Sequence, residues 1–538
     1  MKIKSILKLG TLALLTAALP ACSFLDTDPQ IIPDDGYYNS EQKLIYGLAG
    51  VYGVLNSEAI YGNYYSLQIA NADDLCYFNN YNNSESRPDR YNHSAGTAAI
   101  YDTWSKLYEG IKNANRYIEA VEKTEIDPGK LSVDIGLYIA EARFLRAWFY
   151  FDLVRFYGRV PLVDENSPQE NAPREELDKV MAFIKGDVEY AVGNLDNIPG
   201  GEVACLGSAL MLQLQIAQYE YDNATVIACA KAIKELGYDL YGDFRKLFLD
   251  EGINDPSNRE VIFKVNYAED LQSSYMTQLW YNWFSFNTTL EAVNSFFTAN
   301  GLPVKPLEAD NGASIPADPA YDKDYPFENR DPRLKLSVLC PGDEYRCDGT
   351  SRYQVHWQPA NWDNKTGFAA KKGANETLVN LNNDGGDKIL MRYGEVLLAW
   401  AEAENEENGP KGAYEMIDQL RRRVGMVTLT ESLPNLTKET MRALIRNERR
   451  VELFHEGQRW HDIRRWKIAE KVMTDAHGLD VSKLQYYPSS GATSPYWQYE
   501  EIVVDKRSFN KDRDYLWPIP LKELNANPLI RDDQNPGY

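Results

Sequence analysis

The sequence predicts a mostly α-helical body built from paired helices and interrupted by long irregular, partly β excursions. Three observations carry this. Apolar residues recur at helical spacing over much of the chain, short links join several of those segments in pairs, and the periodicity fails over two long stretches. Helical segments are expected at about 41–56, 101–121, 137–157, 174–193, 204–219, 223–236, 388–407, 410–424 and 438–455. In 137–157 the residues Ala140, Phe144, Ala147, Phe151 and Val154 form an apolar stripe, and Gly158 followed by Pro161 ends it. The links between 204–219 and 223–236, and across Asn408-Gly409-Pro410, are too short for anything but antiparallel helix hairpins. Trp104, Leu107, Tyr108 and Ile111 loosely follow the opening of a tetratricopeptide repeat, although no strict 34-residue period runs through the chain.

The pattern fails between about 61 and 100 and between about 250 and 385, where Asn, Asp, Gly, Tyr and Trp dominate. The second stretch is too long for a plain loop, so it should be structured, with short strands such as Val261 to Val265. No glycine- or serine-only linker separates it from the helices. The expected organisation is a leader at 1–21, a tether at 22–40 and one body at 41–538. That body divides into a helical part (41–249), an irregular ligand-binding excursion (250–385), and C-terminal hairpins with a tail (386–538).

Charge and composition narrow the function. Hydrophobic residues make up 44% and charged residues 25% of the chain, which fits a packed globular protein. The net charge of −22 repels phosphate backbones and excludes nucleic acid as a partner. Aromatic residues, at 12%, exceed what such a core needs and point to rings used for contact.

Lys2, Lys4 and Lys8 precede an apolar run from Leu9 to Leu19, then Leu19-Pro20-Ala21-Cys22. A run of about 11 residues is too short to span a bilayer and reads as a cleaved export signal. The small residue before Cys22 resembles a lipobox, in which Cys22 becomes the acylated first residue. Asp26 and Asp28 in the tether resemble the signal that sends such lipoproteins to the outer face of the outer membrane. The remaining cysteines, Cys76, Cys205, Cys229, Cys340 and Cys347, are odd in number and make no disulfide framework. Cys340 and Cys347 could close a small loop, while Cys205 and Cys229 read as buried thiols.

The run Arg446-Asn447-Glu448-Arg449-Arg450-Val451-Glu452-Leu453-Phe454-His455-Glu456-Gly457-Gln458-Arg459-Trp460-His461-Asp462-Ile463-Arg464-Arg465-Trp466 resembles the signature of the SusD/RagB family of Bacteroidetes nutrient-binding lipoproteins. Arg143 to Ala147 leading through Arg155 to Leu162, Arg392 to Ala403, and the ending from Tyr515 through Pro520 to Tyr538 resemble three further blocks of that family. Arg159 stands where the family commonly has glycine. The resemblance, which runs from Cys22 to Tyr538, implies a single SusD-like fold on tetratricopeptide-like hairpins, acylated at Cys22. It also implies a partner, a SusC-like TonB-dependent transporter, and a ligand, an oligosaccharide or in some members a peptide, with no catalysis and no cofactor.

Catalytic motifs are missing from the chain. Glu448 and Glu452 lie with Leu444, Ile445 and Val451 on one helix face, and paired carboxylates are what a glycosidase uses. Buried acids need partners, however, and Arg459, Arg464 and Arg465 are the nearest, so the cluster reads as a structural ion network. His455-Glu456 opens like a zinc-protease motif, but Arg459 occupies the place of the second histidine. Asn382 to Asp387 lacks the ligand spacing of a calcium loop and reads as a turn, so no metal is expected.

Sugar recognition needs flat rings beside amides, carboxylates or guanidinium groups. Three stretches have that mixture: Cys76 to Asn83 with Tyr77, Phe78 and Tyr81; Leu279 to Asn287 with Trp280 and Trp283; and His356 to Asp363 with Trp357 and Trp362. These are the candidate ligand-binding residues. Trp104, Trp148, Trp400, Trp460 and Trp466 lie on helical stripes or in the signature blocks and are expected in the core. The leading reading is a surface, lipid-anchored protein that captures glycans for a partner transporter. Peptide capture and, more distantly, a surface glycoside hydrolase are the alternatives.

Overall fold

The computed structural model describes residues 37–62, 73–77, 90–167, 171–278, 285–346, 352–354, 364–480, 485–487 and 496–538. Its centre is the helix Ile135–Tyr157, packed between Ala98–Glu122 and Leu177–Asn194 and also touching Glu41–Tyr52. Asp134 caps it by accepting the Gly136 N–H, and Gly158 stops it at φ +72°, where a Cβ would meet the Leu516 side chain at 2.8 Å. Arg159, in place of the family's glycine, donates to the carbonyls of Arg174 and Glu175. The stripe expected here is a helix buried almost all round, because neighbours cover each of its faces. Its polar residues find partners inside: Arg146 donates two bonds to Asp187, at 2.7 and 2.8 Å.

Leu206–Glu220 and Asn223–Glu235 form the expected hairpin, turning at Tyr221 with φ +60°. The second expected hairpin differs at its start. Lys388–Arg392 is a strand paired antiparallel with Val261–Val265, and the helix begins only at Tyr393, running to Asn408. Ile389 and Met391 face inward from that strand, a pattern that helical spacing imitates over five residues. After Gly409 (φ +84°) the chain makes one 3-10 turn and the helix Tyr414–Arg423. Lys438–Glu452 then packs on Tyr393–Asn408.

The irregular regions are held by short antiparallel pairs, and every ladder among the described residues has two strands. A second apolar cluster, with Val293, Phe296, Leu334, Phe368, Val451 and Phe454, ties them to the Lys438–Glu452 helix. Cys205 and Cys229 are buried thiols, as expected. Cys340 is also a buried free thiol, while Cys347 lies outside the described residues. Trp104, Trp148, Trp460 and Trp466 are buried, but Trp400 is only half-buried and donates to Glu404 at 3.0 Å. The ring packs on the core from one side, and the Lys234 amine lies 5.9 Å from its centre.

Candidate functional site

Of the candidate rings, Phe78, Tyr81, Trp280, Trp283, Trp357 and Trp362 lie outside the described residues, as does Cys22. Tyr77 is described in its backbone. The structure does show the frame from which these stretches spring. Leu75–Tyr77 pairs antiparallel with Phe286–Thr288, with Leu75 opposite Thr288, Cys76 opposite Asn287 and Tyr77 opposite Phe286. The first two aromatic stretches therefore leave one ladder at the same end. Asn287 joins the third: its buried side-chain carbonyl accepts the backbone N–H groups of Lys365 and Thr366, at 2.5 and 3.4 Å, just after the stretch that ends at Asp363.

A fourth stretch arrives at the same place. Leu479 donates its N–H to the Thr366 carbonyl at 2.8 Å, and a Cβ on Gly478 would lie 2.5 Å from the Thr366 Cα, so only glycine fits there. Ala476–Leu479 pairs with Glu501–Asp505, and beyond them Gln485–Tyr487 pairs with Tyr496–Gln498. Tyr486, Tyr487, Tyr496 and Trp497 thus belong with the candidate residues, and the sequence reading missed them. The signal was available: two short aromatic–polar runs flank the turn-rich segment from Pro488 to Pro495.

Ion pairs fix this frame to the helical body. Arg459 donates to both oxygens of Asp73, at 2.7 and 2.8 Å, and Arg450 donates to Asp74 at 2.6 Å. Thr289 bonds both backbone carbonyls, Asp73 through its hydroxyl and Asp74 through its N–H, each at 2.9 Å. Burial pushes the Asp73 carboxyl up, and Arg450 and Arg459 outweigh it, holding the group below the ordinary carboxylate range. Asp74 stays raised, because burial is opposed there by Arg450 but reinforced by the Asp73 charge.

Glu448 and Glu452 are buried in an ion network, but not with the expected partners. Arg421 and Arg333 serve Glu448 at 2.5 and 2.9 Å, and Arg423, Arg392 and Arg333 serve Glu452 at 2.5, 2.8 and 3.1 Å. Of the arginines expected there, Arg459 binds Asp73, Arg465 binds Glu402 and Asp462, and Arg464 stacks on Trp460. The reason is the break after Glu452, where His455 (φ +63°) and Gly457 (φ +87°) redirect the Gln458–Arg465 helix away. Burial alone would raise the Glu452 carboxyl, yet Arg423, Arg392 and Arg333 drive it well below its usual value. A glycosidase acid needs a raised value, so this pair supplies none.

Glu456 is locked by Arg392 and Lys372, at 2.6 Å each, and among the described residues no group of His, Cys, Asp and Glu is arranged to hold a metal. Asp384 accepts the Thr277 hydroxyl at 2.6 Å and the Gly386 N–H at 3.0 Å, a local turn at 384–386, while its backbone bridges Ser274 and Asn383 closes a turn on the Asn380 carbonyl; the expected turn is thus found in two short pieces around a bridge.

Comparison with known proteins agrees with this architecture. The model of the SusD family matches residues 259–538, and a model described as starch-binding and associating with the outer membrane matches 23–200. The SusD-like protein P25 of Formosa agariphila is 25% identical over 96% of both chains. A SusD-like protein from Bacteroides fragilis superposes with a TM-score of 0.77 at 25% identity, covering 94% of this chain and 99% of its own. A SusD-like carbohydrate binding protein from the same species gives 0.74 at 25% identity, covering 92% of this chain and 100% of its own. With more than half of its length matched by the family model and its helical frame shared with these structures, the chain belongs to the SusD family of outer-membrane-associated binding proteins, which are not enzymes.

Proposed function

We propose that the protein is a cell-surface lipoprotein, anchored through Cys22, that captures oligosaccharides on a face built from its aromatic stretches and delivers them to a SusC-like TonB-dependent transporter. The observation that carries this is the convergence at Asn287 and Thr366: four segments that alternate rings with amides and hydroxyls are rooted within one hydrogen-bonded cluster. Rings rooted together can present several platforms to one chain of sugars, each stacking on an apolar sugar face while amides bond the hydroxyls. A relative of the same architecture is described as carbohydrate binding, which supports a glycan ligand.

Isothermal calorimetry of the form lacking residues 1–22, against oligosaccharides of several polysaccharide classes, tests the reading. Saturable binding to one class is expected. Binding of a peptide digest with no heat from any glycan would replace it with peptide capture. Co-purification of a transporter with the membrane-bound protein tests the partner.

A further inference from the structure

A cleft of about 280 Å³ lies between the helix Gln458–Arg465 and the helices Ile135–Tyr157 and Leu206–Glu220. In a chain of net charge −22, its wall carries five cations, Arg155, Arg449, Arg464, Arg465 and Lys467, against two carboxylates, Glu395 and Asp462. Three of the cations are compensated. Arg449 grips Asp462 at 2.9 and 3.1 Å, Arg465 grips Glu402 at 2.7 and 2.6 Å, and Arg155 bonds Asp152.

The other two are not. Arg464 is 6% exposed, lies over Trp460 at 3.1 Å and donates only to neutral oxygens: the Trp460 and Asp514 carbonyls and the Tyr91 hydroxyl, at 3.2–3.3 Å. Among the described residues no carboxylate reaches it within ion-pair distance. Lys467 rests its amine over the Tyr515 ring at 4.8 Å, also without an ion pair among the described residues. The Arg449 Nη1 and Arg155 Nε atoms are buried without a hydrogen-bond partner. Half-buried His461 and Gln458 have no side-chain hydrogen bond among the described residues. Both also line a smaller neighbouring cavity of about 70 Å³, shared with Arg155 and Lys388. Glu395 offsets only part of this charge, since burial pushes its carboxyl up to about 7.

The Asp514 carboxyl, bonded by Arg513 at 2.7 Å, acts on Arg464 only from beyond ion-pair distance. A buried cation without a directly paired carboxylate is costly, and an anion in the cleft lowers that cost. An amide, an imidazole and a guanidinium follow one another along the Gln458–Arg465 helix, with an ammonium just past its end, and the unpartnered Arg155 and Arg449 atoms face the cleft from the helices Ile135–Tyr157 and Lys438–Glu452. A planar carboxylate is satisfied by a single guanidinium fork, whereas this arrangement suits an acceptor with oxygens in several directions. The volume exceeds that of such an ion and leaves space for waters or for an attached group.

We propose that this cleft binds a small tetrahedral oxyanion, sulfate or phosphate, free or carried as an ester on a sugar, through Arg464, Lys467, His461 and Gln458. Calorimetric titration of the mature protein in detergent, at constant ionic strength, compares sodium sulfate, sodium phosphate, sodium chloride and glucose 6-sulfate. One equivalent of sulfate or phosphate is expected to bind where chloride does not, and a tighter glucose 6-sulfate identifies the sugar ester as the source. The double variant His461→Gln, Lys467→Gln alters one half-buried and one exposed residue, so it should melt as the parent does while losing about tenfold or more of that affinity. Binding should also raise the pKa of His461, read by NMR of the histidine-labelled protein. Burial, with Arg155 and Arg464 close by, holds that ring well below its ordinary value, and an anion reverses the repulsion. No heat beyond chloride, undiminished affinity in the double variant, or an unmoved His461 resonance would each overturn the proposal.

Discussion

Tyr77 faces Phe286 across an antiparallel ladder, although 208 positions separate them in the chain. That register brings the ends of two aromatic stretches together, and Asn287, one residue on, receives the third by accepting from Lys365 and Thr366. The frame of the proposed glycan face therefore depends on a side-chain amide without a ring of its own.

Replacing Asn287 with Ala should leave two backbone N–H groups near a buried site without their acceptor, at a cost of about 1–3 kcal/mol. Oligosaccharide affinity should fall with it, because the stretch ending at Asp363 loses its hold. Calorimetry on Asn287→Ala and on Asn287→Asp, which keeps an acceptor, checks this. Equal affinities in both variants and the parent would detach Asn287 from the site.

Trp283→Ala, or Trp280→Ala, should weaken oligosaccharide binding by about 1–3 kcal/mol, by analogy with ring stacking on bases. Little thermal stability should be lost. Trp460→Ala should do the reverse: its ring is 1% exposed and covered by Arg464 at 3.1 Å, so truncation costs about 3–5 kcal/mol of stability. A melting curve and a titration on each variant separate the two roles.

Arg333 is shared by Asp331, Glu448 and Glu452, all buried. Arg333→Met strands carboxylates in the interior and should cost about 3–5 kcal/mol, read from the denaturant midpoint. A variant with unchanged stability would show that the remaining arginines suffice.

Two buried glutamates should bend the pH dependence of stability in opposite directions. For Glu402, burial raises the carboxyl but Arg465 outweighs it, holding it at about 2 against an ordinary 4.5. A depressed value stabilises the fold above pH 4.5, and that contribution, about 3 kcal/mol, is lost as the pH falls from there toward 2. Glu395 is raised to about 7, chiefly by burial, so its contribution is present below pH 4.5 and lost as the pH rises toward 7. Glu395→Gln, which keeps an acceptor for Gln215, should be more stable than the parent at pH 8 and similar at pH 4. Denaturation curves at the two pH values decide it.

Cys22→Ser should release the protein from the membrane without altering its fold. Each acyl CH₂ contributes about 0.8 kcal/mol of membrane affinity, and among the described residues no helix is long and apolar enough to cross a bilayer. Membrane-bound protein with an unmodified Cys22 by mass spectrometry would reject the anchor.

The sequence by itself determined the helical body, because helical periodicity and caps are local: the hairpin 204–236 and the stop at Gly158 stand where residue spacing puts them. It determined the family for a related reason, since the Arg446–Trp466 block is contiguous. It did not fix partners. Glu452 sits in sequence beside Arg459, Arg464 and Arg465, but a break at His455 and Gly457 turns these away, and Arg333, Arg392 and Arg423 arrive from other segments. Lys388–Arg392 reads as helix until Val261–Val265 offers a ladder, and Trp400 reads as core until the wall beside it proves incomplete. The meeting of four aromatic stretches at Asn287 and Thr366 was likewise beyond any local reading. Ion pairs, strand registers and the walls of a cleft join residues far apart in the chain, and only the packed chain specifies which of them meet.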